Sequence, residues 1–308
     1  MRAVQFDHYG GPEVLRLDEV PIPEPAPGQV LVRVEATAVH PGDLIARAGG
    51  FAAVIASRDV YRLGWDFYGR VHSTGPDVDD VSLGMPVVGM TDWLRDLNGT
   101  HADFVAVPRT AVVAAPANLD PDAAAALPVN ALTAAQALDL LPLMAGDTLV
   151  IVGAAGAVGG FALELAVDRG LRVLGVASPA DEAFIGARGG VFLDRGLDLA
   201  TQVYDQVPGG ADALFDTASL SAPALAAIRD GGTYCGVIYP YAPAPARDIT
   251  ITTVGVHSNP HALADLVKLA DVGIISPRVT ARYQLDDAVQ AHRHLARGGI
   301  RGDVILQT

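Results

Sequence analysis

One cysteine, Cys235, and one lysine, Lys268, stand in a chain of 308 residues. A single thiol forms no internal disulfide and no CxxC pair, so a four-cysteine structural zinc site is excluded. The shortage of lysine belongs to a wider charge deficit. Twenty-one basic residues face 35 acidic ones, for a formal charge of −14. Nucleic acids and anionic membranes are recognised by clustered Lys and Arg, so neither is an expected partner. The most apolar stretch, 149–158, is too short and too rich in Gly and Ala to span a bilayer. The opening residues Met1-Arg2-Ala3-Val4-Gln5-Phe6-Asp7 lack the apolar core of a secretion signal. These absences point to a soluble, cytoplasmic protein.

What is present is apolar mass. Half of the residues are hydrophobic, which supplies a large core and excludes a globally disordered chain. At roughly 150 residues per domain, two domains are expected. The first hundred residues read as short strands at 30–36, 69–72, 85–89 and 102–107, separated by Gly and Pro. That pattern predicts a barrel-like or folded sheet. After Pro116 the pattern changes. Asp120 can cap a helix that has Pro121 at its first position, and a second helix is predicted over 131–141. Apolar strands at 149–152, 172–176, 213–215 and 233–237 then recur at βα spacing, with a helix at 158–169. Such strands predict a parallel sheet covered on both faces. Segment 248–255, DITITTVG, alternates Ile and Thr like an edge strand that could pair with a second subunit. Helices at 263–270 and 285–296 and a last strand at 303–306 complete the pattern.

The strongest chemical signal is LVIVGAAGAVGG at 149–160, in the order strand, Gly-rich turn, helix. Its turn, Ala154-x-Gly156-x-x-Gly159, is a variant of the dinucleotide fingerprint. Gly156 would let the backbone approach a pyrophosphate, and Gly159 would let the helix pack closely on the strand. The helix N-terminus supplies N–H groups and a positive dipole end, so an acidic chain can hold an anion without a lysine cluster. NAD-binding proteins tend to carry an acid after the second strand, but here that stretch is Val176-Ala177-Ser178. The missing acid favours NADPH over NADH. Ser178 could donate to a 2′-phosphate, and Arg195 or Arg188 could supply the base, unless both arginines are plain surface residues.

These residues carry a resemblance. Tyr9-Gly10-Gly11-Pro12-Glu13-Val14-Leu15, Ala38-Val39-His40-Pro41-Gly42-Asp43 and Leu63-Gly64-Trp65-Asp66-Phe67-Tyr68-Gly69 form part of it. Pro27-Gly28-Gln29-Val30-Leu31-Val32-Arg33-Val34, Ala124 to Pro128 with Leu132-Thr133-Ala134, the Gly153–Gly159 turn and Gly302-Asp303-Val304-Ile305-Leu306 complete it. Together they resemble the zinc-independent medium-chain dehydrogenase/reductases, in the quinone oxidoreductase and enoyl reductase branch. The resemblance implies an α/β chain with a GroES-like catalytic domain at 1–117 and 257–308. A Rossmann domain at 118–256 would be inserted into it. It also implies a homodimer joined at the 248–255 strand. Zinc-dependent relatives have Cys in place of His40 and a His-Glu pair in place of Trp65-Asp66, so no metal site is expected. By family position, Thr133, Gly156, Ala157, Val158, Ser178, Val237 and Ile238 would contact the cofactor.

Reduction of an activated double bond also needs a donor for the developing enolate. Enoyl reductases of this branch often carry a Tyr after Arg-x-Gly. Here Arg47-Ala48-Gly49-Gly50 leads to Phe51, which has no hydroxyl. His40, Asp43 and Tyr61 are therefore the catalytic candidates, with Tyr239 and Tyr241 as further sources of a hydroxyl. Phe51, Trp65 and Tyr239 would line the pocket of a flat, conjugated small molecule. Asp66 reads as a cap for the following turn, Asp43 as a candidate for holding its loop, and Cys235 as an inert thiol. The activity implied is NADPH-dependent reduction of quinones or α,β-unsaturated carbonyls by direct hydride transfer. A redox-neutral cyclase or conjugate-addition catalyst, or a non-catalytic NADPH-binding protein, is the alternative on the same fold.

Overall fold

A computed structural model describes residues 1–237 and 242–308. Its contacts divide the chain into two compact units. The first holds 1–129, 257–271 and 277–308; the second holds 130–256 and 272–276.

In the first unit the chain begins with β1 (Arg2–Phe6), β2 (Arg16–Glu19) and the long β3 (Gln29–Val39). Helix α1 (Pro41–Arg47) follows, then β4 (Tyr61–Arg62), β5 (Asp66–Thr74) and β6 (Pro86–Met90). Next come α2 (Trp93–Asp96), β7 (Phe104–Pro108), β8 (Val112–Ala114) and α3 (Pro121–Ala125). β1 lies between β2 and β4 in a small antiparallel sheet. β3 pairs antiparallel with both β5 and β7, and β5 continues to β6 and β8. The core here is mostly valine: Val30, Val32, Val34, Val71, Val87, Val105 and Val107 pack around Phe67. Their β-branched side chains suit a pleated sheet, and each buried Val contributes about 1.5–3 kcal/mol. Asp120 caps α3 by accepting from Ala123 N–H at 2.7 Å. Residues 118–129, expected at the start of the inserted domain, group with the first unit because α3 packs on β3 and β5.

The second unit carries most of α4 (Pro128–Asp139), then β9 (Thr148–Val152), α5 (Ala157–Asp168) and β10 (Arg172–Ala177). Helix α6 (Glu182–Gly186), β11 (Val191–Asp194), α7 (Leu199–Gln206), β12 (Ala211–Asp216), β13 (Ile228–Gly236) and β14 (Thr250–Thr253) follow. The six strands form one parallel sheet in the order β11-β10-β9-β12-β13-β14. Every residue of β9 is buried, as a central parallel strand requires. The strand order reverses beside β9, and that switch point is where open α/β sheets bind ligands. Segment 272–276 groups with this unit; Ser276 N–H donates to Glu164 Oε2 of α5 at 2.8 Å.

The chain returns to the first unit through α8 (Pro260–Asp271), β15 (Val279–Gln284), α9 (Ala288–Ala296) and β16 (Asp303–Gln307). β16 pairs antiparallel with β3, placing Val304 opposite Val39. The C-terminal end of β3 therefore meets the N-terminal ends of both β5 and β16. Among the described residues, no helix is long and apolar enough to cross a membrane.

Candidate active site

The meeting of those three strand ends is polar. His40 follows β3, Asp66 opens β5 and Asp303 opens β16, and all three side chains are buried. His40 Nε2–H donates to Asp66 Oδ2 at 3.0 Å. Asp66 is fully enclosed, and its carboxylate also accepts from Ala38 N–H at 3.3 Å and Val129 N–H at 3.2 Å. Burial alone would lower the His40 imidazole. The Asp66 carboxylate, with Asp303 and Asp43 nearby, overrides it and raises His40 to about 9. His40 is thus an imidazolium near neutral pH. Asp66 is not the turn cap expected of it; the β3–β5 pairing buries it against His40.

Asp43 lies in the first turn of α1 and is also fully buried. Its Oδ2 accepts from His40 N–H at 2.8 Å and its Oδ1 from Gly64 N–H at 2.9 Å. Both oxygens bind backbone, so the geometry gives Asp43 the task of holding the His40 turn and not of moving a proton. Gly64 is required there: φ is +100°, and a Cβ would fall 2.3 Å from Thr100 Oγ1. Thr37 and Thr100 hydroxyls, at 2.6 and 2.8 Å, donate to the Asp66 carbonyl and steady the start of β5. His101 Nε2 donates to Ala38 O at 3.1 Å. Its ring meets His292 of α9 edge-on, 6.1 Å between centroids.

Tyr61 is buried on β4, stacked on Phe6 at 5.2 Å. Its oxygen accepts from Arg58 N–H at 3.0 Å and from the Tyr9 hydroxyl at 3.3 Å, and its own hydroxyl points to Ala56 O at 3.4 Å. The hydroxyl thereby fastens the 56–58 loop, which differs from the proton-donor role expected of it. Phe51 is half-buried and meets the buried Trp65 edge-on at 6.5 Å. Trp93 also neighbours Trp65, with ring centroids 5.4 Å apart.

In the second unit, Gly153 leaves β9 with φ of +80° and its carbonyl accepts from Gly156 N–H at 2.8 Å. Gly156 caps α5, and Gly156, Ala157 and Val158 keep part of their surface open at the helix N-terminus. A Cβ on Gly159 would lie 2.1 Å from Gly153 O, so only glycine lets the helix start this close to the strand. This cradle of small residues and helix N–H groups fits a pyrophosphate.

Beyond β10, the Ser178 hydroxyl donates to Asp181 Oδ2 at 2.7 Å. That bond replaces the donation to a 2′-phosphate expected of Ser178. Arg188 is also committed: its Nε donates to Glu164 Oε1 at 2.7 Å and its guanidinium lies 3.7 Å over the Phe184 ring. Arg195 differs. It follows β11, its N–H donates to Ala177 O at 2.9 Å, and it is exposed. Among the described residues, nothing pairs with its guanidinium. It is the cation beside the end of β10. Thr133 is buried on α4, and Val237 is half-buried directly after β13. Ile238, Tyr239 and Tyr241 lie outside the described residues. Burial pushes the Cys235 thiol up to about 12, so it stays protonated and unreactive.

Among the described residues, no three His, Cys, Asp or Glu side chains converge as a metal site would need. His40 and Asp66 satisfy one another instead.

A parallel sheet in the order 3-2-1-4-5-6, joined in one chain to a GroES-like sheet unit, defines an α/β protein of GroES-like plus Rossmann architecture. The family model for the alcohol dehydrogenase GroES-like domain matches residues 26–117, and that for zinc-binding dehydrogenases matches 192–306. Quinone oxidoreductase of Mus musculus is 28% identical, over 99% of this chain and 97% of its own. The NADPH-dependent alkenal/one oxidoreductase of Arabidopsis thaliana is 26% identical, over 99% of this chain and 79% of its own. The solved quinone oxidoreductase of Coxiella burnetii superposes with a TM-score of 0.88 at 27% identity, covering 100% of this chain and 99% of its own. The chain belongs to the medium-chain dehydrogenase/reductase superfamily, in its quinone oxidoreductase branch.

Proposed function

We propose that this protein reduces quinones or α,β-unsaturated carbonyls with NADPH, by direct hydride transfer and without a metal. The observation that carries the reading is the buried His40–Asp66 pair, which keeps an imidazolium ready at neutral pH. Gly156, Ala157 and Val158 would hold the pyrophosphate, and Arg195 the 2′-phosphate. When bound, NADPH would supply the hydride that reduces the β-carbon of the acceptor. The electron pair displaced onto the carbonyl oxygen then needs a proton. His40, held by Asp66 through Nε2, would supply that proton. Asp43 keeps the turn in place while this happens. The buried Asp66 carboxylate stabilises the charged ring before the transfer.

NADPH is favoured over NADH because Val176-Ala177-Ser178 presents no acid to the ribose, while no described residue pairs with the Arg195 guanidinium beyond the end of β10. Asp181 is close, but it is buried and takes the Ser178 hydroxyl. The test is the loss of NADPH absorbance with cyclohexenone and naphthoquinone as acceptors. Turnover is expected with NADPH. Arg195→Ala should weaken NADPH binding about 10-fold, the loss of one charge-assisted contact, and leave NADH unchanged. Product formed without NADPH loss, or equal weakening of both cofactors, would overturn the respective half of the reading.

We also propose a homodimer through the 248–255 strand. β14 pairs only with β13 among the described residues, so one edge of a six-stranded sheet is open to a second copy. Light scattering should give twice the chain mass; a monomer mass would refute the pairing.

A further inference from the structure

Two tryptophans lie side by side in the first unit, and among the described residues only one finds an acceptor for its indole N–H. Trp93 Nε1–H donates to Arg62 O at 2.6 Å. Trp65 Nε1 is buried and has no acceptor among the described residues, although the residue keeps only 7% of its surface. An unpaired buried N–H costs free energy comparable to a lost hydrogen bond, so a position that retains one calls for a reason. A phenylalanine would give the same apolar contact without the penalty.

The surroundings supply the reason. Trp65 directly precedes Asp66, the partner of His40. Its indole rests on Gly42, two residues after His40, where a Cβ would lie 3.3 Å from the ring and 3.5 Å from Nε1. The nitrogen edge of the indole therefore faces the His40–Gly42 turn. Phe51 meets the ring edge-on, 6.5 Å between centroids, and is half-buried in a segment of turns at 48–55. A neutral N–H donor and an imidazolium thus flank one turn. Trp65 Nε1 is matched by no acceptor among the described residues.

We propose that the Trp65 indole N–H is the hydrogen-bond donor for the carbonyl oxygen of the substrate. Phe51 is the cover that a substrate displaces to reach it. The assignment rests on the reductase reading above and deepens it. It fills the gap left by Phe51, which carries no hydroxyl, and by Tyr61, whose hydroxyl holds a loop. Trp65 holds the oxygen as negative charge grows there, and His40 delivers the proton. A rigid neutral donor and a separate acid together suit ketones and quinones. An acceptor without an oxygen at that point gains nothing from the indole.

Two measurements test this. In the first, indole N–H resonances are followed by NMR while cyclohexanone, a ketone with no conjugated C=C to take the hydride, is added to the NADPH-bound protein. The Trp65 resonance, identified by its absence from Trp65→Phe, should move downfield. The Trp93 resonance, already bonded to Arg62 O, should stay. In the second, Trp65→Phe is assayed with cyclohexenone and naphthoquinone. Loss of one donor at a developing oxyanion should lower kcat on the order of 10²-fold with little change in KM for NADPH. A Trp65 resonance indifferent to the ketone, or a folded Trp65→Phe variant with wild-type kcat, overturns the assignment. If the wild-type protein fails to oxidise NADPH at all, the reductase reading falls, and the NMR shift still decides whether Trp65 binds a carbonyl.

Discussion

Replacing His40 by Gln should lower kcat on the order of 10²- to 10⁴-fold, the usual loss when a positioned proton donor is removed. NADPH affinity should stay as it is, because the cradle at Gly156 belongs to a different unit of the chain. Glutamine keeps a polar group of similar size but has no proton to give. The pH profile carries the finer test. With His40 raised to about 9 by the Asp66 carboxylate, kcat should hold level at neutral pH and fall only as the pH rises past that value. Asp66→Asn removes the charge that raises the ring while burial still lowers it, so the alkaline fall should move to lower pH. That variant should also lose stability, by about 3–5 kcal/mol, since it breaks a buried ion pair on one side. A His40→Gln enzyme with wild-type kcat would remove His40 from the chemistry.

Much of the second unit could be read in advance because its strands are apolar on both faces. Leu149-Val150-Ile151-Val152 admits one interpretation, and Gly156 and Gly159 mark the turn that follows. Strands with weaker patterns escaped. β2 is Arg-Leu-Asp-Glu and mostly exposed, and β11 is only four residues long, so neither shows a clear alternation. The site divided in the same way. His40 and Asp43 stood out as a polar pair in one short segment. Asp66 did not, because its partner comes from a distant strand and only the antiparallel register of β3 with β5 brings them together. A signal was present: Asp66 leads directly into the buried run Phe67-Tyr68, where a turn cap would be followed by a turn. His101 and His292 lie far apart in the chain, and neither stands in a motif, so nothing local announces their contact. The bonds of Ser178 to Asp181 and of Arg188 to Glu164 were equally invisible. Side chains of this kind choose among several neighbours, and packing decides.

Those buried histidines set the last expectation: stability should fall on both sides of neutral pH, each side governed by a different ring. His292 is fully enclosed on α9 and is held well below its ordinary value of 6.5. Burial is the main cause, and His101 and the Arg47 cation of α1 add to it. Its folded form refuses a proton that the unfolded chain accepts. The neutral ring is therefore harmless above about 6.5. Below it, each pH unit should cost about 1.4 kcal/mol. His40 works in the opposite sense. Its folded form is raised to about 9, so its contribution is fully present below 6.5 and is lost as the pH climbs through about 9. The gap corresponds to a contribution on the order of 3 kcal/mol. Urea unfolding at acid, neutral and alkaline pH should show both limbs. His292→Phe, which fills the site with a ring that cannot titrate, should flatten the acid limb relative to wild type and leave the alkaline limb alone. His40→Gln should flatten the alkaline limb. Carboxylates such as Asp103 and Asp212, which are held below their ordinary value, steepen the acid limb in every variant, so the difference from wild type is the quantity to read. An acid limb of unchanged slope in His292→Phe would show that the ring is protonated or hydrated in the folded protein. The enclosed imidazole, with no hydrogen-bond partner among the described residues, would then not be its state in solution.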